Sequence, residues 1–264
     1  MNIFLREMKT YRKPLIIWCF GMFLMVAGGM SKYAGLSTSG QSVNDIMMKM
    51  PKSLQSFFGT GILDLSKASG FYGLLFLYLV IMATVHAVII GADIISKEEQ
   101  DKTTEFLMAK PISRNRIITS KIIFAFVNIL ILNIVTMISS IIIVRYFSKG
   151  ESVDHEILTL MVGMFILQLI YMFIGTSIAS ITKKPKSAAS VSTAVLLVTF
   201  ILSVIIDINN KLEILKYFTP FKYFDAKNLM SYGFEYSFLI LSFVIIVILF
   251  VTTYVFYQKR DLNV

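Results

Sequence analysis

The residue types that most often carry out chemistry are sparse in this chain. Its only histidines are His86 and His155, and its only cysteine is Cys19, so no disulfide forms within it. The spacings of zinc sites and the H-E-x-x-H pattern are missing, and so is the G-x-x-x-x-G-K-[ST] loop that cradles nucleotide phosphates. The sequence therefore predicts no catalytic residue, no metal and no nucleotide bound by this chain.

His86 stands out because it falls in the middle of an apolar run, where a polar side chain is costly and often functional. It could take part in a proton relay or line a path for a substrate. The alternative is a neutral histidine that hydrogen-bonds to a neighbouring helix, which is the commoner case. The sequence leaves both open.

A polar stripe occupies a later apolar run. Asn133, Thr136 and Ser140 recur at i, i+3 and i+7, so one helical face carries all three, and Asn128 lies nearby. Together with His86 this face could line a translocation path. The alternative is a set of hydrogen bonds between helices of one subunit.

The densest charge lies in "SKEEQDKTTEFLMAKPISRNRIITSK", residues 96–121. Acidic residues come first, then the apolar Phe-Leu-Met at 106–108, then a basic end. Pro111 predicts a helix break, and Ser113 predicts the cap of a new helix. Three apolar side chains among charges favour a docking surface, since each contributes about 1.5–3 kcal/mol when fully buried by a partner. The alternative is a solvated loop whose apolar residues dip into lipid.

These segments are set in a very apolar chain. Of its 264 residues, 56% are hydrophobic and 16% are charged, and its mean hydropathy is +0.74, which indicates a membrane protein. Six runs can cross a hydrocarbon core of about 30 Å as helices. We predict an all-α, polytopic fold with a single domain over residues 1–264. The predicted spans are 14–30, 71–92, 122–144, 157–182, 187–206 and 236–258.

The distribution of charge predicts the orientation. With the N-terminus inside, the inner connections hold 15 of the 25 Lys and Arg residues, so both termini are expected in the cytoplasm. Topology and anionic lipid then explain the net charge of +9, and membrane lipid rather than nucleic acid is the expected partner. The spans contain no Asp, Glu, Lys or Arg, which argues against an ion-coupled transporter. Rich Lys, Ile and Asn usage indicates a bacterial plasma membrane.

Three connections have patterns of their own. Residues 1–13 alternate apolar and basic residues at helical spacing, which predicts an amphipathic helix along the membrane surface, although a merely basic flank is the alternative. Residues 31–70 predict two short amphipathic helices. Residues 207–236 are crowded with aromatic residues, which favour the membrane boundary, so this segment is expected to hug or re-enter the bilayer.

The charged segment resembles the cytoplasmic signature of permeases of type-2 ATP-binding-cassette exporters. Lys102 stands where that family usually has glycine. Two further stretches, "MPKSLQSFFG" at 50–59 and "YVFYQKRDL" at 254–262, resemble the family's first outer loop and its tail. The residues that match the signature are Glu99, Thr103, Glu105, Leu107, Met108, Pro111, Ser113, Arg114 and Lys121.

The resemblance implies a transmembrane subunit that pairs with a second permease copy or paralogue and with two separate ATPase subunits. Segment 96–113 would be the coupling helix, which sits in a groove of the ATPase, and residues 1–13 would be the elbow helix. Arg114 and Lys121 would fix the loop against acidic groups or lipid phosphate. ATP and Mg²⁺ would be held by the ATPase, with no cofactor on this chain. The implied ATPase-coupling residues are Glu99, Thr103, Glu105, Phe106, Leu107, Met108, Pro111, Ser113 and Arg114.

The function implied is ATP-driven export of an amphipathic or hydrophobic substrate, such as an antimicrobial or toxin peptide or a drug. The main alternative is a non-transporting membrane protein that sequesters a peptide or recruits a partner. An intramembrane hydrolase is disfavoured, because His86 has no evident catalytic partner within the membrane.

Overall fold

The computed structural model describes residues 3–38, 48–49, 51, 55, 63–104, 112–148, 150 and 152–259, and no β-strand occurs among them. Short 3₁₀ turns at Pro185–Ser187, Asn210–Phe218 and Pro220–Lys222 connect some of the helices. The α-helices are α1 (Ile3–Thr38), α2 (Ala68–Gln100), α3 (Arg114–Phe147), α4 (Asp154–Ile181), α5 (Ala188–Ile208), α6 (Ala226–Tyr232) and α7 (Tyr236–Lys259).

Six of these helices, α1 to α5 and α7, are long and apolar enough to cross a membrane. The predicted all-α fold with six spans is therefore confirmed. Each predicted span falls on one of these helices, with its ends inside the helix or one residue beyond it. The two short helices predicted within 31–70 lie mostly outside the described residues.

The first three helices are longer than a bilayer requires. They contain 36, 33 and 34 residues, which corresponds to roughly 50 Å each, against about 30 Å of hydrocarbon. Beyond the predicted spans, the extra turns are residues 3–13 of α1, 93–100 of α2 and 114–121 of α3. These three charged extensions pack against one another at the same end of the bundle.

The elbow helix predicted for residues 1–13 is not a separate element in the structure. The helix continues through Pro14, which lies inside α1. Proline lacks one ladder hydrogen bond but has a helix-compatible φ, and packing on both sides of it sustains the helix. The apolar side chains of the extension contact α2 and α3, with the Tyr11 ring 5.3 Å from the Phe124 ring. This apolar face therefore covers protein.

The centre of the bundle is the contact between α2 and α4, the two most deeply buried spans. Gly91 and Gly175 lie where the two backbones meet. A Cβ on Gly91 would clash with the carbonyl oxygen of Met172, and one on Gly175 would clash with that of Val88. Small residues permit this close approach between membrane helices, so neither position has room for a side chain.

The aromatic connection between α5 and α7 folds back onto the spans. The Phe221 ring lies 5.2 Å from that of Tyr171 and 5.3 Å from that of Phe200. The Tyr223 ring stacks on Phe238 at 4.9 Å. The segment therefore closes one end of the bundle instead of extending away from it.

Candidate functional site

The segments predicted to lie on one side of the membrane do meet at one end of the bundle. Near the C-terminus of α2, Gln100 Nε2 donates to the carbonyl of Pro185 at 3.1 Å. At the start of α3, Arg114 Nη1 donates to the carbonyl of Gln258, near the end of α7, at 2.9 Å. Both described ends of segment 96–113 therefore contact other parts of the chain, and the extension of α1 lies at the same end of the bundle.

Charged side chains from α1, α2 and α3 form a buried cluster at this end, which we call the ionic junction. The Lys121 ammonium contacts the Glu98 carboxylate through Oε2 and donates to the carbonyl of Ile94 at 2.6 Å. The Lys121 side chain is 1% exposed and that of Glu98 9%, so water does not screen this pair. The members of the ionic junction are Arg6, Glu7, Lys97, Glu98 and Lys121.

Glu98 is the member that bridges three helices. While its Oε2 contacts Lys121 of α3, its Oε1 accepts a hydrogen bond from Arg6 Nη2 of α1 at 2.8 Å. Arg6 Nε also donates to Glu7 Oε1 at 2.9 Å. Lys97 Nζ lies 4.0 Å from Glu7 Oε2. The two oxygens of one carboxylate thus connect α1 and α3 to α2.

Helix geometry explains why α2 can receive Lys121. Residues four apart lie one above the other on the same face, so the carbonyl of Ile94 and the side chain of Glu98 present two acceptors to one ammonium. A buried ion pair contributes little net stability relative to apolar packing, whereas removal of one partner is costly. We conclude that the ionic junction fixes the relative positions of three helix ends more than it raises stability.

The turn after α2 also depends on Glu98. Lys102 has a φ of 54°, the left-handed conformation that usually closes a helix with glycine. The Thr103 N–H donates to the Glu98 carbonyl at 2.8 Å, and the Lys102 N–H donates to the Glu99 carbonyl at 3.4 Å. This is the Schellman pattern of a helix end. Lys102 therefore adopts the left-handed conformation at the position where the family that this segment resembles usually has glycine.

The start of α3 is set by Ser113, the cap that the sequence predicts. Its hydroxyl accepts a hydrogen bond from the Arg116 N–H at 3.4 Å, and its carbonyl accepts one from the Ile117 N–H at 3.2 Å. Segment 96–113 therefore leaves one capped helix and enters another.

Only some of the predicted ATPase-coupling residues lie among the described residues. Glu99 and Thr103 precede the central part of the segment, and Ser113 and Arg114 follow it. The remaining predicted coupling residues lie outside the described residues: Glu105, Phe106, Leu107, Met108 and Pro111. The carboxylate that meets Lys121 belongs to Glu98, which is not among the residues that match the signature.

Sequence reasoning did not find Arg6, Glu7 or Glu98. The signal for Glu7 is visible in the sequence, because residues 3, 7 and 11 share one helical face and Ile3 and Tyr11 are apolar. A carboxylate on an apolar face requires a buried cationic partner. Its burial here, with 1% of the side chain exposed, agrees with that rule.

The polar residues predicted for a translocation path are all buried within the chain, but they are not brought together. His86 is buried on α2, where its ring lies 5.2 Å from that of Trp18 of α1, and Asn128 is buried on α3. Further along α3, Asn133 Nδ2 donates to Gln168 Oε1 of α4 at 3.2 Å. These are separate contacts between different pairs of helices.

The last part of the polar stripe makes a third set of contacts. Ser140 Oγ accepts a hydrogen bond from the Tyr72 hydroxyl of α2 at 2.7 Å. Thr136 Oγ1 donates to the Leu132 carbonyl of its own helix at 2.8 Å. Both side chains are fully buried. Within the stripe, Asn133 and Ser140 therefore bond to neighbouring helices, whereas Thr136 bonds within α3.

Comparison with known families agrees with this architecture. A family model described as ABC-2 family transporter protein matches residues 1–262. No curated protein matches the chain. The matched range includes the six spans, the ionic junction and segment 96–113. The chain therefore belongs to the ABC-2 family transporter proteins and is a transmembrane subunit of an ATP-binding-cassette transporter.

Proposed function

We propose that the chain is the permease subunit of an ATP-driven exporter. In this proposal, segment 96–113 docks on a separate ATPase and transmits its conformational change to the spans. The observation that carries this proposal is the ionic junction. It connects the helix that enters the segment, the helix that leaves it and the extension of α1. A displacement of the segment therefore reaches three spans together.

The described flanks of the segment suit this role. At one end, Glu98 is held through its carboxylate by Lys121 and Arg6 and through its carbonyl by Thr103. At the other end, Ser113 caps α3. Because both helix ends are held in place, we expect a displacement of the intervening residues to move the two helices as well. The apolar Phe-Leu-Met at 106–108 would supply the contact with the ATPase.

The partners follow from the family and the sequence. Members of this family associate with ABC ATPase subunits, and this sequence has no phosphate-binding loop of its own. ATP and Mg²⁺ would therefore be held by two ATPase chains per complex. A second permease copy or paralogue would complete the membrane part, packed against apolar faces that α1, α5 and α7 leave exposed.

An amphipathic or hydrophobic substrate, a peptide or a drug, is the class that suits the spans best. The predicted spans contain no charged side chain, and most of their polar residues are buried. Such an interior does not offer ion pairs to a highly charged substrate. We propose outward transport across a bacterial plasma membrane, with both termini in the cytoplasm, because basic residues concentrate at the end that carries the ionic junction.

The proposal is tested by purifying the tagged chain from its native membrane in mild detergent and identifying the proteins that accompany it by mass spectrometry. The wild-type chain is expected to bring down a soluble ATPase that carries a G-x-x-x-x-G-K-[ST] loop. The variant Phe106→Asp/Leu107→Asp is expected to lose that association, because two apolar contacts become charged.

The matched control is Tyr217→Asp/Phe218→Asp, which changes two exposed aromatic residues at the opposite end of the bundle and should retain the ATPase. Equal recovery of the ATPase by the 106/107 variant would exclude segment 96–113 as its docking surface. If the folded wild-type chain brings down no ATPase in several mild detergents, a non-transporting binding protein becomes the better account.

A further inference from the structure

A pocket lies at the end of the bundle opposite the ionic junction, between the first turns of α2, the last turns of α5 and residues 221–227. Its volume is about 60 Å³, enough for about four to six water molecules and so for a short stretch of hydrocarbon. One end of the pocket is charged. The apolar wall includes Leu74, Phe76, Leu77, Val80 and Phe200.

The charged end consists of two lysines and two aspartates, Asp207, Lys222, Asp225 and Lys227, which we call the charge quartet. Lys227 Nζ lies 2.8 Å from Asp207 Oδ1, and Lys222 Nζ contacts the same oxygen. Both ammonium groups also lie 3.4 Å from Asp225 Oδ2. The quartet is therefore compact and has no net charge.

The quartet retains hydrogen-bonding capacity. An ammonium group has three N–H donors, and among the described residues each lysine lies within ion-pair distance of only two oxygens, one on each aspartate. Asp207 Oδ2 accepts no hydrogen bond from any described residue, because both lysines approach Oδ1. Two cationic donors and one anionic acceptor thus remain side by side.

Lys227 remains charged in this setting. Burial lowers the pKa of Lys227, but the charges and hydrogen bonds of Asp225 and Asp207 outweigh burial and raise it above the ordinary value. A ligand with only a negative charge would be repelled by Asp207, and a ligand with only a positive charge would be repelled by both lysines. A group with both charges satisfies the remaining donors and acceptor without changing the net charge.

The pocket lies at the ends of two membrane-spanning helices, so it is expected near the level of the lipid headgroups. It is placed where one span begins and another ends. The nearby Tyr217 and Tyr236 are exposed, as is typical of aromatic residues at the membrane–water boundary. The apolar wall runs from the quartet along α2 and α5 toward the hydrocarbon core. This order of polar end and apolar wall is that of a phospholipid.

We propose that the pocket binds a zwitterionic phospholipid with a primary ammonium, of the phosphatidylethanolamine class. Lys222 and Lys227 would donate to its phosphate, and Asp207 Oδ2 would accept from its ammonium. The first part of an acyl chain would lie against Leu77, Val80 and Phe200. This site does not depend on an ATPase or on transport, so it can fail or hold independently of the proposed function.

The test uses the full-length chain in phosphatidylglycerol nanodiscs that contain a small fraction of a lipid with a photoreactive acyl chain. The reactive lipid carries an ethanolamine, glycerol or choline headgroup, and labelled peptides are identified by mass spectrometry. We expect the ethanolamine lipid to label the peptides with Val80 and Phe200 about tenfold more than the other two, a factor that corresponds to about 1.4 kcal/mol. Choline has no N–H for Asp207, and the glycerol lipid has no cation.

The Lys227→Gln variant should lose this preference, whereas Lys216→Gln, in an exposed ion pair with Glu213 outside the pocket, should keep it. If Lys227→Gln does not fold, the comparison of headgroups in the wild type still decides. Equal labelling by the three lipids would mean that the pocket takes any acyl chain, and preference for the glycerol lipid would mean that it takes a simple anion. Either result, or labelling only of the exposed face of α7, overturns the proposal.

Discussion

Lys121 pairs with Glu98 across 23 positions of sequence, so the two flanks of the charged segment close on each other through one buried ion pair. The other oxygen of the same carboxylate is taken by Arg6, which lies 92 positions away. The segment between the flanks therefore begins and ends at fixed points. A coupling element needs this property, because a loose attachment would absorb the motion that it is meant to pass on.

The first prediction concerns the cost of breaking this pair. Lys121→Met leaves Glu98 buried with only Arg6 beside it, and removal of one partner of a buried pair costs about 3–5 kcal/mol. We expect a clear fall in the midpoint of thermal unfolding in detergent. Glu98→Gln should also be costly, because the amide can accept a hydrogen bond from Lys121 but leaves the buried ammonium without a counter-charge.

The double variant Lys121→Met/Glu98→Leu separates the two roles of the pair. Apolar replacement of both partners is often neutral or stabilising, so the double variant should recover most of the stability lost by Lys121→Met. Its ATPase association should remain, whereas transport should fall if the pair passes on motion. Full transport by a stable double variant would assign the ionic junction to stability alone.

The second prediction concerns Lys102, whose φ of 54° costs a residue with a Cβ about 1 kcal/mol or more. Lys102→Gly should relieve this strain and stabilise the helix end by about 0.5–1 kcal/mol, after the greater chain entropy of glycine is taken into account. Lys102→Ala is the control, because it removes the charge and keeps the Cβ. Equal stabilisation by both variants would point to the charge as the cause.

The sequence was a good guide to the spans and a poor one to the ionic junction. Apolar runs of sufficient length predict membrane helices because the bilayer sets both requirements. The same criterion stops at the first charges, near Asp93 and before Lys121, although backbone hydrogen bonds continue the helices through Gln100 and from Arg114. A criterion based on apolar runs therefore does not predict the helical extensions that carry the candidate site.

The pairing of side chains within the ionic junction could not be predicted from the sequence for a different reason. Glu98 and Glu99 are adjacent in sequence, but neighbours on a helix point about 100° apart, so only the packing of α2 against α3 decides which carboxylate meets Lys121. For residues 3–13, the amphipathic pattern and the structure agree on a helix with one apolar face. The pattern could not tell a lipid surface from α2 and α3 as the partner of that face.

The third prediction concerns the close contact of α2 and α4. Gly91→Ala and Gly175→Ala each place a methyl group against a backbone carbonyl of the other helix. Backbone cannot move aside as a flexible side chain can, so each variant should lose about 1–3 kcal/mol of stability. Gly28→Ala is the control, since a Cβ there meets nothing within 4 Å and alanine favours the helix. Wild-type stability of both variants, measured by thermal unfolding, would show that the helices separate more easily than this packing allows.

The fourth prediction distinguishes the two interpretations of the polar stripe. Ser140 is fully buried and bonded to Tyr72, so Ser140→Cys in a Cys19→Ser background should not react with a membrane-impermeant maleimide. Lys211→Cys is the positive control, because Lys211 is exposed. If Ser140→Cys reacts as fast as that control while the chain stays folded, water reaches this position, and the stripe lines a path.

The same variant can be followed during turnover with the ATPase and ATP. A stripe that only packs helices remains protected, because position 140 stays buried in each state. A stripe that lines a path that opens transiently becomes reactive only when ATP is hydrolysed. Tyr72→Phe adds an internal check. It removes the hydroxyl that faces position 140, so it should raise the basal reactivity of the cysteine if the contact between Tyr72 and this position keeps α2 and α3 closed.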